Sequence, residues 1–167
     1  GLVARVAEGM QKDFLEESSW VMLRISFPNN EYDIPRWHSD GRYFAPKFKD
    51  EKVYKLVFTI KGPRTRFAEK IDTEEFERLS REISKNHSIK SDNSEEFKKE
   101  DLRIRRELMS VVREMKSFGK EQAIIYLVGD KDARVHFEPK TDEPRIFMSV
   151  LLGSQDQINE LKNRWKK

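Results

Sequence analysis

One residue separates His38 from Asp40 in the stretch 34–44, IPRWHSDGRYF, a spacing with chemical uses. On an extended strand, residues i and i+2 project to the same face, so an imidazole nitrogen and a carboxylate oxygen can reach one ion together. Two polar residues on a solvated strand edge would be spelled the same way, and a third donor is what separates the cases. The chain carries three histidines and no cysteine. Disulfides, thiolate zinc sites and cysteine nucleophiles are therefore excluded, and any ion must be held by His, Asp, Glu or water. His87 lies in SKNHSIKSDNS, part of a polar linker from Lys85 to Asn93 with no rigid element to hold it. His136 lies in RVHFEPKTDEPRIFMSV, which reads as strand, turn and strand, and is the better third ligand.

His38, Asp40 and His136 would make a facial set of two imidazoles and one carboxylate. That set leaves three positions of an octahedral ion open and is diagnostic of non-haem Fe(II) oxygenases. The proposed hairpin adds an anion site. With its turn centred on Lys140-Thr141, His136 and Arg145 fall directly opposite one another on antiparallel strands and share a face. A guanidinium buried beside a metal ligand needs an anion, and its planar fork grips a carboxylate at two points. The ligand expected is a small dicarboxylate, chelating the ion at one end and meeting Arg145 at the other. Arg42, Tyr54, Lys55 and Arg64 are further candidates for lining this pocket, each with an ordinary solvated or core role as its alternative.

These side chains need a frame. Val3, Val6, Ala7, Met10 and Phe14 trace a helical stripe over Leu2 to Leu15. Trp20 to Phe27 is strand-like and ends at Pro28-Asn29-Asn30. Val53 to Lys61 alternates most clearly, with Tyr54, Leu56, Phe58 and Ile60 on one face, and stops at Gly62-Pro63. Arg64 to Ile71 is another candidate strand. Asp72-Thr73-Glu74-Glu75 reads as a capping box for a helix carrying Phe76, Leu79 and Ile83. A long helix over Ser94 to Phe118 follows, with Leu102, Leu108, Val111, Val112 and Met115 as its buried stripe. Strands return at Ala123 to Val128, Arg134 to Phe137 and Arg145 to Leu151, and Ser154 caps a last helix. Strands joined by turns rather than crossover helices argue for antiparallel pairing. The expected architecture is mainly β with flanking helices, an α+β double-stranded β-helix or jelly roll. It would form one domain over 1–167, with 72–118 as a helical insertion between the two halves of the jelly roll.

The pattern His38-Ser39-Asp40, distal His136, then Arg145 nine residues on resembles the Fe(II)/2-oxoglutarate-dependent dioxygenases across about Asn30 to Leu151. The resemblance implies that His38, Asp40 and His136 bind Fe(II), that Arg145 binds the far carboxylate of 2-oxoglutarate, and that O2 is the co-reactant. Asn30-Glu31-Tyr32 ahead of the motif is similar, distantly, to the AlkB-type demethylases, in which an N-x-Y pair touches the cosubstrate. That likeness would place Asn30 and Tyr32 at the cosubstrate, and Tyr54 is a further candidate for the same place. The chain departs from the AlkB pattern in a shorter gap to His38, in Val150 and Leu151 where a second arginine is usual, and in Phe147 where many relatives carry serine.

Composition limits the rest. Net charge is +3 with the two signs interleaved, a weak signal for nucleic acid, which usually shows as clustered Lys and Arg. The basic run LRIRRELMSVVREMK reads first as the wet side of an amphipathic helix, with a nucleic-acid contact as the minor alternative. No apolar run reaches membrane-spanning length and no signal peptide is seen, so a cytoplasmic, non-membrane protein is expected. Hydroxylation or demethylation of an unidentified substrate is the expected activity. The rivals are a non-catalytic jelly-roll module that binds protein or nucleic acid, and a cupin-like metalloprotein indifferent to 2-oxoglutarate.

Overall fold

The computed structural model describes residues 1–28, 34–89, 95–116, 123–129 and 133–166. Its elements are α1 (Leu2–Phe14), β1 (Ser18–Ser26), β2 (Val53–Lys61), β3 (Arg66–Ile71), α2 (Thr73–Ile89), α3 (Glu95–Val111), β4 (Val112–Lys116), β5 (Ile124–Val128), β6 (His136–Phe137), β7 (Arg145–Gly153) and α4 (Gln155–Trp165). A single 3-10 turn, Pro46–Phe48, interrupts the loop before β2. Among the described residues the strands form two antiparallel sheets, one ordered β1-β7-β2-β5 and the other β4-β3-β6. The described residues thus form a mixed α+β fold with two antiparallel sheets and four helices. None of the described helices is long and apolar enough to cross a membrane.

Strand alternation explains the layering. On β2, Leu56 packs with Met148 and Val150 of β7 against Ala7 and Met10 of α1. The neighbouring residue Val57 points the other way, into a cluster with Phe67, Tyr126, Phe147 and Leu151. That second cluster is where the two sheets meet, since Phe67 belongs to β3 and its partners to the four-stranded sheet. On the far face of the three-stranded sheet, Trp37, Ala68, Val135 and Phe137 meet Phe76, Leu79, Ile104, Leu108 and Val111 of the α2–α3 hairpin. Each Val, Leu, Ile, Phe or Met side chain among these, once fully buried, contributes about 1.5–3 kcal/mol.

Several sequence expectations change. His87 does not lie on a linker: α2 runs through it to Ile89, and its Nε2 sits 3.0 Å from Asp101 Oδ1 of α3. The long helix ends at Val111, and Val112–Lys116 is a strand paired with β3, with Ala68 opposite Met115. The same apolar spacing serves either element, and pairing with an available edge overrides helix propensity. Leu102 is exposed, while Ile104, Leu108 and Val111, spaced for one helical face, are buried. His136 and Arg145 are not hairpin partners. β6 pairs with β3 and β7 with β1 and β2, so the two residues belong to different sheets. Asn30 and Tyr32 lie outside the described residues.

Candidate metal centre

Backbone pairing brings the two histidines together. His38 and His136 form an isolated antiparallel bridge, exchanging N–H···O bonds of 2.9 Å in both directions. Directly opposed residues share a face, and the two imidazole centroids lie 4.4 Å apart. Their chain neighbours point to the opposite face, where Trp37 and Phe137 pack edge to face at 4.4 Å. Alternation therefore anchors one side of this ribbon in the hairpin core and offers the other to the site. Asp40 is fixed from a third direction by Gly129, whose N–H donates to the Asp40 carbonyl at 3.0 Å. Gly129 has φ +77°, and a Cβ there would meet Arg42 atoms at 2.9 and 3.0 Å, so the close approach requires glycine.

The ring nitrogens are already sorted. His38 Nδ1 lies 2.8 Å from the Arg36 carbonyl, and His136 Nδ1 lies 2.9 Å from the Arg134 carbonyl. A carbonyl only accepts, so both Nδ1 atoms carry a proton, and in the neutral ring it is Nε2 that presents the lone pair. A backbone oxygen behind a ligating imidazole is what fixes its tautomer and orientation at metal sites. One donor atom from each of His38, Asp40 and His136 falls within 4.8 Å of the others, the one such group of three or more among the described residues. Two imidazoles and one carboxylate suit a divalent transition ion with open positions.

Asp40 is held as a carboxylate. Burial would push its pKa up, but the Lys55 ammonium and the Tyr126 hydroxyl, both 2.8 Å from Oδ2, together with His136 hold it below the ordinary value. Burial and the nearby His38 push His136 down to about 4, so its imidazole stays neutral, as ligation requires. Burial also raises Tyr126, whose phenol keeps its proton as a donor to Asp40. Lys55 Nζ additionally donates to Tyr43 Oη at 2.8 Å. With two hydrogen bonds on Oδ2, the carboxylate still has lone pairs for an ion, since its two oxygens offer about four sites.

A cavity of about 590 Å³ opens on these groups, bounded by Tyr43, Lys55, Thr65, Tyr126, Glu138 and Phe147 among others. Lys55, a charge in the middle of an apolar strand, is the sequence candidate found at the site. Tyr126 was legible only as a hydroxyl within AIIYLV, Glu138 only as a possible ion-pair partner of Arg145, and Thr65 left no signal. The other candidates lie elsewhere. Tyr54 packs tilted against Phe14, centroids 5.1 Å apart, on the α1 side of β2. The Arg42 Nε donates to the Gly129 carbonyl at 3.0 Å, and Arg64 is half-buried but does not border the cavity. Arg145 is 2% exposed and lies behind the cavity wall. Its Nε donates to the Pro63 carbonyl at 2.8 Å, its Nη2 to Thr65 Oγ1 at 2.9 Å, and its Nη1 stands 3.6 Å from Glu138 Oε1.

No family model matches the chain, and no curated protein matches it. Among solved structures, it is similar to a non-heme iron oxygenase, OrfP, at 13% identity and TM-score 0.30, over 80% of this chain and 57% of that one. It is also similar to a YbjQ-like protein of unknown function from Sulfolobus solfataricus P2, at 10% identity and TM-score 0.24, over 81% of this chain and 99% of that one. Overlap this loose carries no argument for a shared fold or activity.

Proposed function

We propose that the chain is an Fe(II)- and 2-oxoglutarate-dependent oxygenase on a double-stranded β-helix frame, with His38, Asp40 and His136 as the iron ligands. The observation that carries this is the convergence of two imidazoles, both with Nδ1 committed to a backbone carbonyl, on one carboxylate inside a cavity. The bound ion would supply activation of O2 coupled to oxidative decarboxylation of the cosubstrate, ending in hydroxylation or demethylation of a substrate. The protein's share is placement. Tyr126 and Lys55 hold the Asp40 carboxylate in position, and Phe67 and Tyr126, whose rings lie 5.4 and 5.3 Å from His136, keep water from its inner side. Thr65 and Lys55 border the cavity and would be donors to the dicarboxylate. Arg145 reinforces them from behind, through its bond to the Thr65 hydroxyl. The α2–α3 hairpin, expected as an insertion, serves as the outer wall.

Anaerobic absorbance tests the proposal. Adding Fe(II) and then 2-oxoglutarate should produce the weak visible charge-transfer band of the chelate, and His38→Ala should abolish it. Arg145→Ala should weaken 2-oxoglutarate binding while sparing the metal. Metal binding with no band, indifferent to Arg145→Ala, would indicate a cupin-like metalloprotein instead. No change in melting temperature with either ligand would indicate a non-catalytic binding module.

A further inference from the structure

The basic run on α3 is not uniformly solvated. Arg103 lies on the outer surface among Glu82, Glu100 and Glu107, whereas Arg105, two residues on, is only 11% exposed and borders the cavity. Arg105 is fixed there. Its Nε and Nη2 meet Asp101 at 2.6 and 3.2 Å, and Asp101 is held in turn by His87 at 3.0 Å. Bidentate pairing locks the guanidinium plane. Beside it on the wall stand Ser80, Ile83 and Ser84 of α2, and Ile83 packs against the cluster containing Trp37, the neighbour of His38. The hairpin therefore carries a rigid cation to the same cavity that the metal ligands face.

The charge balance says what such a cavity takes. Its described lining contains Arg24, Arg36, Lys55 and Arg105 against Asp40 and Glu138. Counting Arg145 behind Glu138 and Asp101 behind Arg105, five side-chain cations stand against three carboxylates, an excess of two before the imidazoles are counted. A divalent ion would add two more. Walls of low dielectric concentrate this field on whatever enters. A volume of about 590 Å³ is that of a metabolite-sized site.

We propose that the substrate is a small oxyanion, a carboxylate- or phosphate-bearing molecule, with Arg105 as its specificity-determining contact on the hairpin wall. This rests on the metal-centre reading for the reacting end only. The test is calorimetric titration of the Mn(II)-loaded full chain with inorganic phosphate, succinate and uncharged succinamide. Each is measured with and without saturating N-oxalylglycine, which fills the cosubstrate's place. The two oxyanions should bind with N-oxalylglycine present and succinamide should not. Arg105→Gln should weaken oxyanion binding at least tenfold, Arg105→Lys should restore part of it, and Mn(II) affinity should not change. Ser84→Asp, an exposed helical position, adds a negative charge to the wall without touching the core and should weaken the oxyanions similarly. Equal binding by Arg105→Gln, or succinamide binding as tightly as succinate, overturns the proposal. So does tight binding of a single-stranded oligonucleotide that phosphate does not displace. Absence of Mn(II) binding would remove the metal-centre reading alone, because titration of the metal-free protein still reads the dependence on Arg105.

Discussion

Two charge networks in this molecule use the same residue types under opposite conditions. On the outer face of the α2–α3 hairpin, Arg78 and Arg103 each pair with several of Glu75, Glu82, Glu100 and Glu107, in water. Between the sheets, Lys55 and Asp40 pair at 2.8 Å with side chains 8% and 13% exposed, beside Tyr126 and His136. Exposed pairs contribute little, because solvent screens the charges and long side chains lose rotamer freedom in making them. Buried pairs cost desolvation and are a poor way to gain stability. The lattice on the hairpin is a solvated surface, whereas the pair between the sheets is retained at a cost and lies at the proposed metal centre.

The sharpest break between the two is Lys55→Met. Removing one partner of a buried pair leaves the other charge uncompensated and costs about 3–5 kcal/mol. Urea unfolding of the metal-free protein should show that loss, and saturating Mn(II) should recover much of it by supplying the missing positive charge. A loss equal with and without Mn(II) would make Lys55 purely structural. Acid titration is the next largest effect. His136 titrates at about 4 when folded against an ordinary 6.5, so the unfolded chain binds more protons between those values. Stability should therefore fall as pH drops from about 6.5 to 4, by up to about 3 kcal/mol. His136→Gln should flatten this slope. Asp40, held below its ordinary value, contributes stability lost only at still lower pH, as its folded pKa is crossed. Gly129→Ala should cost about 1–2 kcal/mol through its positive φ and weaken Mn(II) binding by displacing Asp40, which calorimetry would show. Arg103→Ala closes the series. Its urea midpoint should match wild type, and any difference should vanish at high salt.

What was legible in the sequence follows the same division. β2 was readable to the residue because one strand carries a strict alternation between two cores, and Ser154 caps α4 as expected, in a capping box completed by Gln157. His38, Asp40 and His136 were readable as donors because their types and order are chemically specific. Their register was not. Opposed residues do share a face, but the opposed pair is His136 and His38, and Arg145 belongs to the other sheet. A break between β6 and β7 at Glu138–Pro144 sends the chain from one sheet to the other, and local spacing carries no trace of which sheet a strand joins. Arg105 was hidden for a related reason, since the inward rotation of α3 that buries Ile104 and Leu108 also decides which arginine faces the cavity.

The central claim is that His38, Asp40 and His136 bind one ion jointly, and Mn(II) titration followed by electron paramagnetic resonance tests it most directly. Wild type should take up one equivalent, while His38→Ala, altered at an exposed side chain that the fold does not need, should leave the Mn(II) signal that of the free ion. One equivalent bound with unchanged affinity by His38→Ala and by folded His136→Ala would contradict the account.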